Sequence, residues 1–145
     1  MIHITEEAYD KMLGDALHGY PYECCGFLFG TEEGGDRKII AAKQVTNIST
    51  EDQRRRFSIS ATDYIKAERF ADENKLLLLG IYHSHPNHPA IPSETDRLAA
   101  QPFFSYIIIS VENDKDSILR SWRLNDNNQF EEEKINQLNS FTVKI

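Results

Sequence analysis

The run His83-Ser84-His85-Pro86-Asn87-His88-Pro89-Ala90-Ile91-Pro92-Ser93-Glu94-Thr95-Asp96 places three imidazoles and two carboxylates within a short stretch of chain. On an extended strand, residues two apart point to one face, so His83 and His85 can present both rings to a single point. Asp96, in the first turn of a helix beyond the prolines, can bring a carboxylate back to it. Two imidazoles and one carboxylate, with a fourth position left for water, form the donor set of a catalytic zinc; structural zinc sites close with four protein ligands, mostly cysteine. Such a centre brings the pKa of water to about 7 and polarises a carbonyl, which is what amide hydrolysis at neutral pH requires. A lone His-x-His is more often the polar end of a strand. Here Ser93 and Asp96 follow at offsets that make the combination a motif.

Other residues of the run read differently. His88 lies in the proline-rich loop, off the strand alternation, and is expected to be an exposed loop histidine. Ser84 points to the opposite strand face and is expected to be structural. Ser93 can cap the helix through its oxygen and still donate its proton elsewhere.

The flanking elements must position these groups. Thr5 can cap a helix in which Glu6 and Glu7 favour the dipole, Ala8, Met12, Ala16 and Leu17 recur at helical spacing, and Gly19 and Pro21 mark the end. A buried strand from Cys24 to Phe29, closed by Gly30, turns through Glu33-Gly34-Gly35-Asp36 into a second strand from Lys38 to Val45. The polar stretch from Asn47 to Arg56 is irregular. Phe57, Ile59 and Ala61 then alternate before a helix over about Thr62 to Asn74. An apolar strand, Leu76 to His83, leads into the loop holding Pro86, Pro89 and Pro92 and a short helix capped by Ser93. Further strands are expected at Tyr106–Val111, Ser117–Leu124 and Phe130–Glu133, with the tail from Lys134 to Ile145 left open. The order of elements predicts an α+β, α/β/α-like arrangement of one mixed sheet flanked by helices, in one domain spanning 1–145.

Composition narrows the partners. Sixteen Lys plus Arg against 23 Asp plus Glu give a net charge of −7, which disfavours nucleic acid and anionic membrane. Arg54-Arg55-Arg56 is the local exception and reads first as a solvated loop. The longest strongly apolar stretch, Leu76 to Tyr82, is far short of a membrane span, and no basic-then-apolar signal opens the chain, so a cytoplasmic address is expected. Cys24 and Cys25 are adjacent, too close for an unstrained bridge, and are expected to be reduced, with at least one a small buried hydrophobe. Trp122, Phe103 and Phe104 are expected in the core, and Asn47 in a turn.

His83-x-His85, then seven residues, Ser93, two residues and Asp96, resembles the signature of the JAMM (MPN-plus) metallopeptidases. Upstream, Glu23-Cys24-Cys25-Gly26 followed by Phe27 to Gly30 resembles that family's glutamate-plus-glycine segment, while Asn47 and Phe57-Ser58-Ile59 fall where its intervening strands would lie. The resemblance covers nearly the whole chain and implies a cytidine-deaminase-like fold. It makes His83, His85 and Asp96 the ligands of one zinc ion per chain, Glu23 the general acid/base and Ser93 a donor to the oxyanion. The smaller bacterial members, which release groups from the C-terminus of ubiquitin-like sulfur-carrier proteins, look most similar, and they imply cleavage of an amide or isopeptide bond after a Gly-Gly terminus. Two alternatives stand beside this: a hydrolase of small peptides or amino-acid conjugates, and a non-catalytic MPN scaffold, which the full ligand set disfavours. A zinc deaminase would need a downstream Pro-Cys-x-x-Cys, and the sequence has none.

Overall fold

The computed structural model describes residues 1–112 and 117–138, so of the tail left open above, residues 139–145 lie outside the described residues. The elements in chain order are β1 (Ile2–Thr5), α1 (Glu6–Gly19), β2 (Cys25–Glu33), β3 (Asp36–Val45), α2 (Ala61–Glu73), β4 (Leu77–Pro86), α3 (Glu94–Ala99), β5 (Ser105–Val111), β6 (Ile118–Leu124), β7 (Phe130–Glu133) and β8 (Ile135–Leu138). The strands form one mixed sheet in the order β7-β6-β5-β4-β2-β3-β1-β8. The α+β class expected from the element order is therefore what the chain adopts.

Alternation along the central strands divides the core between the two faces. Leu28, Ile39, Leu79, Tyr82, Ile107 and Ile109 pack with Ala8, Met12 and Ala16 of α1 on one side. Phe27, Phe29 and Ile81 pack with Ala67 and Ala71 of α2 on the other. Each helix is capped as its sequence dictates, by Thr5 accepting from the Ala8 amide and by Ser60 accepting from the Asp63 amide.

Several expectations are corrected. The short strands β1 and β8, which pair in parallel with each other, were not expected. Gly30 does not close β2: the ladder with β3 shifts register between Phe29 and Gly30 and continues to Glu33. A Cβ at Gly30 would lie 1.7 Å from the Lys38 carbonyl oxygen, so only glycine fits this crossing. Phe57 to Ser60 forms no strand; Phe57, Ser58 and Ile59 line a cleft instead. Leu17, expected on the buried stripe of α1, is half-exposed, as is Phe103. Phe103 lies under the Arg37 guanidinium. Strand β4 runs on through Pro86, so His85 belongs to the strand rather than to the loop.

Candidate metal centre

The site sits where β4 leaves the sheet. Two neighbours hold β4 here, β2 antiparallel and β5 parallel, and the β5 ladder reaches from Gly80 to Pro86. Ile81, His83 and His85 share the α2 face, and Ser84 points the other way. Its hydroxyl accepts from the Cys24 amide at 2.8 Å, and its own amide donates to the Cys24 carbonyl at 3.1 Å. Cys25 pairs with His83, so the same antiparallel register carried two residues on sets Glu23 across from His85. This pairing across the sheet, rather than proximity in sequence, brings the glutamate to the histidines.

Beyond Pro86 the loop is pinned at several points. The Ser110 hydroxyl donates to the His88 carbonyl at 2.6 Å, and the Trp122 indole donates to the Ala90 carbonyl at 3.0 Å. Trp122, expected in the core, is instead only partly buried and fixes the return path to α3 through this hydrogen bond. There Ser93 and Asp96 form a reciprocal capping box, the Asp96 amide donating to Ser93 Oγ at 3.0 Å and the Ser93 amide donating to Asp96 Oδ2 at 2.9 Å. The same Oδ2 lies 3.4 Å from His83 Nε2 and 3.2 Å from His85 Nε2, and the two imidazole nitrogens are 3.1 Å apart.

Three donor atoms so arranged form a group able to hold a metal ion. Bonds of about 2.0–2.1 Å to one tetrahedral ion require ligand atoms about 3.3 Å apart, which these separations match. The His85 tautomer agrees. His85 Nδ1 lies 2.9 Å from the Pro89 carbonyl, an acceptor only, so Nδ1 carries the proton and Nε2 offers its lone pair to the site. Burial holds the His83 imidazole below its usual range, which favours the neutral form a ligand needs. His83 also stacks on Phe57, with ring centroids 4.4 Å apart. Burial works to raise the Asp96 carboxyl and lower the His85 imidazole, but the partners outweigh it: His83, then His85 and the Ser93 amide, hold Asp96 well below the carboxylate range, and Asp96 with the Pro89 carbonyl holds His85 above the imidazole range.

Glu23 is 6% exposed. Burial pushes its carboxyl up to about 8; His85 and Arg56 pull it down, and Asp96 pushes it up. It lines one cleft with His85 and Ser93, and an adjoining pocket of about 210 Å³ is bordered by His83, Asp96, Phe57, Ile59, Tyr64 and Tyr106. All five residues singled out in the sequence thus meet at one place. His88, by contrast, is exposed, edge-on to His85 with ring centroids 6.1 Å apart, and outside the donor group. The two thiols are buried and free, pushed by burial to about 11 for Cys24 and about 12 for Cys25, as small interior hydrophobes would be.

Asn47 was missed. Its amide donates to the carbonyls of Glu23 and Arg56, and its Oδ1 accepts from the amides of Ser49 and Ser58. It ties the irregular segment 47–58 to the backbone of Glu23. Its signal in the sequence, one asparagine opening a polar stretch, also fits an ordinary turn.

Residues 5–125 match the family model described as prokaryotic homologs of the JAB domain. The chain is 29% identical over 124 residues to the CysO-cysteine peptidase of Mycobacterium tuberculosis, covering 85% of this chain and 82% of that protein. It is 30% identical over 114 residues to the desampylase of Haloferax volcanii, covering 75% and 80%. A protein of Desulfitobacterium hafniense, solved in solution, superposes with a TM-score of 0.86 at 30% identity, over 97% of this chain and 94% of that one.

Proposed function

The chain belongs to the family of prokaryotic homologs of the JAB domain, and on that premise we propose that it is a zinc-dependent peptidase or isopeptidase. Its substrate is the amide bond that follows the Gly-Gly C-terminus of a ubiquitin-like sulfur-carrier protein. The observation that carries this reading is the convergence of Glu23, Ser93 and the His83–His85–Asp96 group on adjoining clefts. The similarity to proteins named CysO-cysteine peptidase and desampylase supports the substrate class.

His83, His85 and Asp96 would hold the zinc. Bound there, it supplies Lewis acidity, lowering the pKa of a water toward about 7 and polarising a carbonyl. Glu23 takes the proton of the attacking water and passes it to the nitrogen as the C–N bond breaks, so the amine leaves protonated and the carbonyl carbon keeps the water oxygen. A carboxyl that burial holds at about 8 against the pull of His85 and Arg56 lies close enough to neutral pH for one group both to accept and to return a proton. Ser93 accepts from the Asp96 amide and keeps its own proton free to donate to the developing oxyanion.

The test compares three substrates: a sulfur carrier extended by one amino acid after Gly-Gly, the same adduct with the penultimate glycine changed to Ala, and free dipeptides. Mass spectrometry should show the first processed fastest. Dipeptides turning over as fast as the adduct, with no cost from the Ala change, would replace this reading with a small-peptide hydrolase.

A further inference from the structure

Arg55 and Arg56 are the unexplained groups at the site. Both border the cleft containing Glu23, His85 and Ser93, and both border the pocket beside His83 and Asp96. They therefore stand where the two clefts meet. Arg54, the third of the run, is spent on Asp52, with Nε 3.0 Å from Oδ1. Among the described residues neither Arg55 nor Arg56 has a carboxylate within ion-pair distance, although acidic residues outnumber basic ones in the chain. The Arg56 guanidinium donates to the Arg55 carbonyl at 2.9 Å, and Arg56 is half-buried. The nearby carboxylates act on them at longer range: Asp52 feels Arg55, and Glu23 feels Arg56.

The backbone here is also built, not loose. The amides of Arg55 and Arg56 both donate to the Asp52 carbonyl at 3.0 Å, and Asn47 holds the Arg56 carbonyl, also at 3.0 Å. A fixed backbone thus carries two arginines at the rim of a centre that cleaves amides, the Arg56 guanidinium tied to the Arg55 carbonyl and the Arg55 side chain exposed. Behind them lies a pocket of about 210 Å³ walled by Phe57, Ile59, Tyr64, Ile81 and Tyr106. That volume suits one apolar side chain and not a folded protein.

We infer that Arg55 and Arg56 bind the free α-carboxylate of the leaving amino acid while its apolar side chain fills the Phe57–Tyr106 pocket, so the preferred substrate carries a single C-terminal residue. This rests on the reading of the site as an amide hydrolase. It separates two chemistries: an isopeptide leaving group is an internal lysine with no α-carboxylate to offer, whereas a C-terminal residue presents a planar anion that a guanidinium fork grips through two hydrogen bonds. Arg56 and Glu23 also line one cleft, so the anion reader stands beside the group that returns the proton to the departing amine.

The experiment uses carrier adducts ending in Gly-Gly-Leu as the free acid and as the C-terminal amide, given to the metal-loaded wild type and to Arg55→Gln, Arg56→Gln and Arg56→Lys. The wild type should prefer the free acid by about 10–100-fold in kcat/KM, the usual worth of a hydrogen bond to a charged group. Each Gln variant should shrink that preference toward one, chiefly through KM, and Arg56→Lys should restore part of it. Equal cleavage of acid and amide by the wild type, or an equal fall on both substrates in the variants, overturns the inference; an equal fall means that Arg56 acts only on Glu23. A parallel titration of N-acetyl-leucine and its amide, followed by NMR, needs no turnover. Arg-dependent binding of the acid alone, with no adduct cleaved, keeps the carboxylate reader and removes the carrier reading. Robust adduct cleavage without acid preference does the reverse.

Discussion

On one face of the sheet, α1 covers Leu28, Ile39, Leu79, Tyr82 and Ile107 completely, and Tyr82 is tied to Asp15 of that helix, its hydroxyl donating to Oδ2 at 2.7 Å. On the other face, α2 covers Phe27, Phe29 and Ile81, and its cover gives way at His83 to Phe57 and the clefts. Successive residues of the single strand β4 therefore serve opposite ends: Tyr82 and Ser84 fasten the scaffold while His83 and His85 face chemistry. Alternation along a strand lets the same ten residues be rigid on one side and reactive on the other. The sealed face should set stability, and the open face should set turnover.

The largest break should come from the donor group. His83→Ala is expected to reduce bound zinc from about one equivalent per chain to near none and to bring turnover to background, with the far-ultraviolet circular dichroism unchanged. Elemental analysis checks it, and full metal retention would show that the ligands are misassigned.

Glu23→Gln comes next. It should keep zinc and lower kcat by about 10²–10⁴. The same change should act on stability in the opposite sense. The Glu23 carboxyl sits near 8 in the folded chain against an ordinary value of 4.5, so the folded state holds the proton more tightly and loses stability as pH rises from about 4.5 through 8. Chelator-treated wild type should therefore show a downward slope in Tm over that window, worth about 1–3 kcal/mol, which the Gln variant lacks. Parallel pH profiles for the two proteins would show that burial of this carboxylate costs nothing.

Met12→Ala on the sealed face is the smallest in rate and purely a matter of stability. Met12 is fully buried among Ile2, Ile4 and Ile39, and its truncation should cost about 2–5 kcal/mol in denaturant unfolding. The rate per folded molecule should stay as in the wild type. A fall in kcat below the transition would mean that the two faces are coupled after all.

What the sequence discloses follows the same division. His83, His85, Ser93 and Asp96 are legible because strand alternation and a helix cap are local rules, and both hold in the structure. Glu23 is legible only by resemblance, since its place depends on the pairing of Cys25 with His83 some sixty residues on. The strand β1 is missed because Ile2-His3-Ile4-Thr5 gives only two apolar residues, and its pairing with β3 and β8 is remote in sequence. Leu17 misleads because helical spacing fixes an angle but not how far the sheet beneath extends.

The double use of Asp96 bears on how any experiment at this position is interpreted. One carboxylate oxygen both faces the two imidazoles and closes the capping box of a six-residue helix. A helix that short has little order of its own, so Asp96→Ala deletes a ligand and frees the α3 backbone in one stroke, and its phenotype cannot be divided between them. Asp96→Asn keeps an oxygen for the Ser93 amide while discarding the charge. Amide exchange at residues 93–99 in the two variants would then tell a lost anchor from a lost anion.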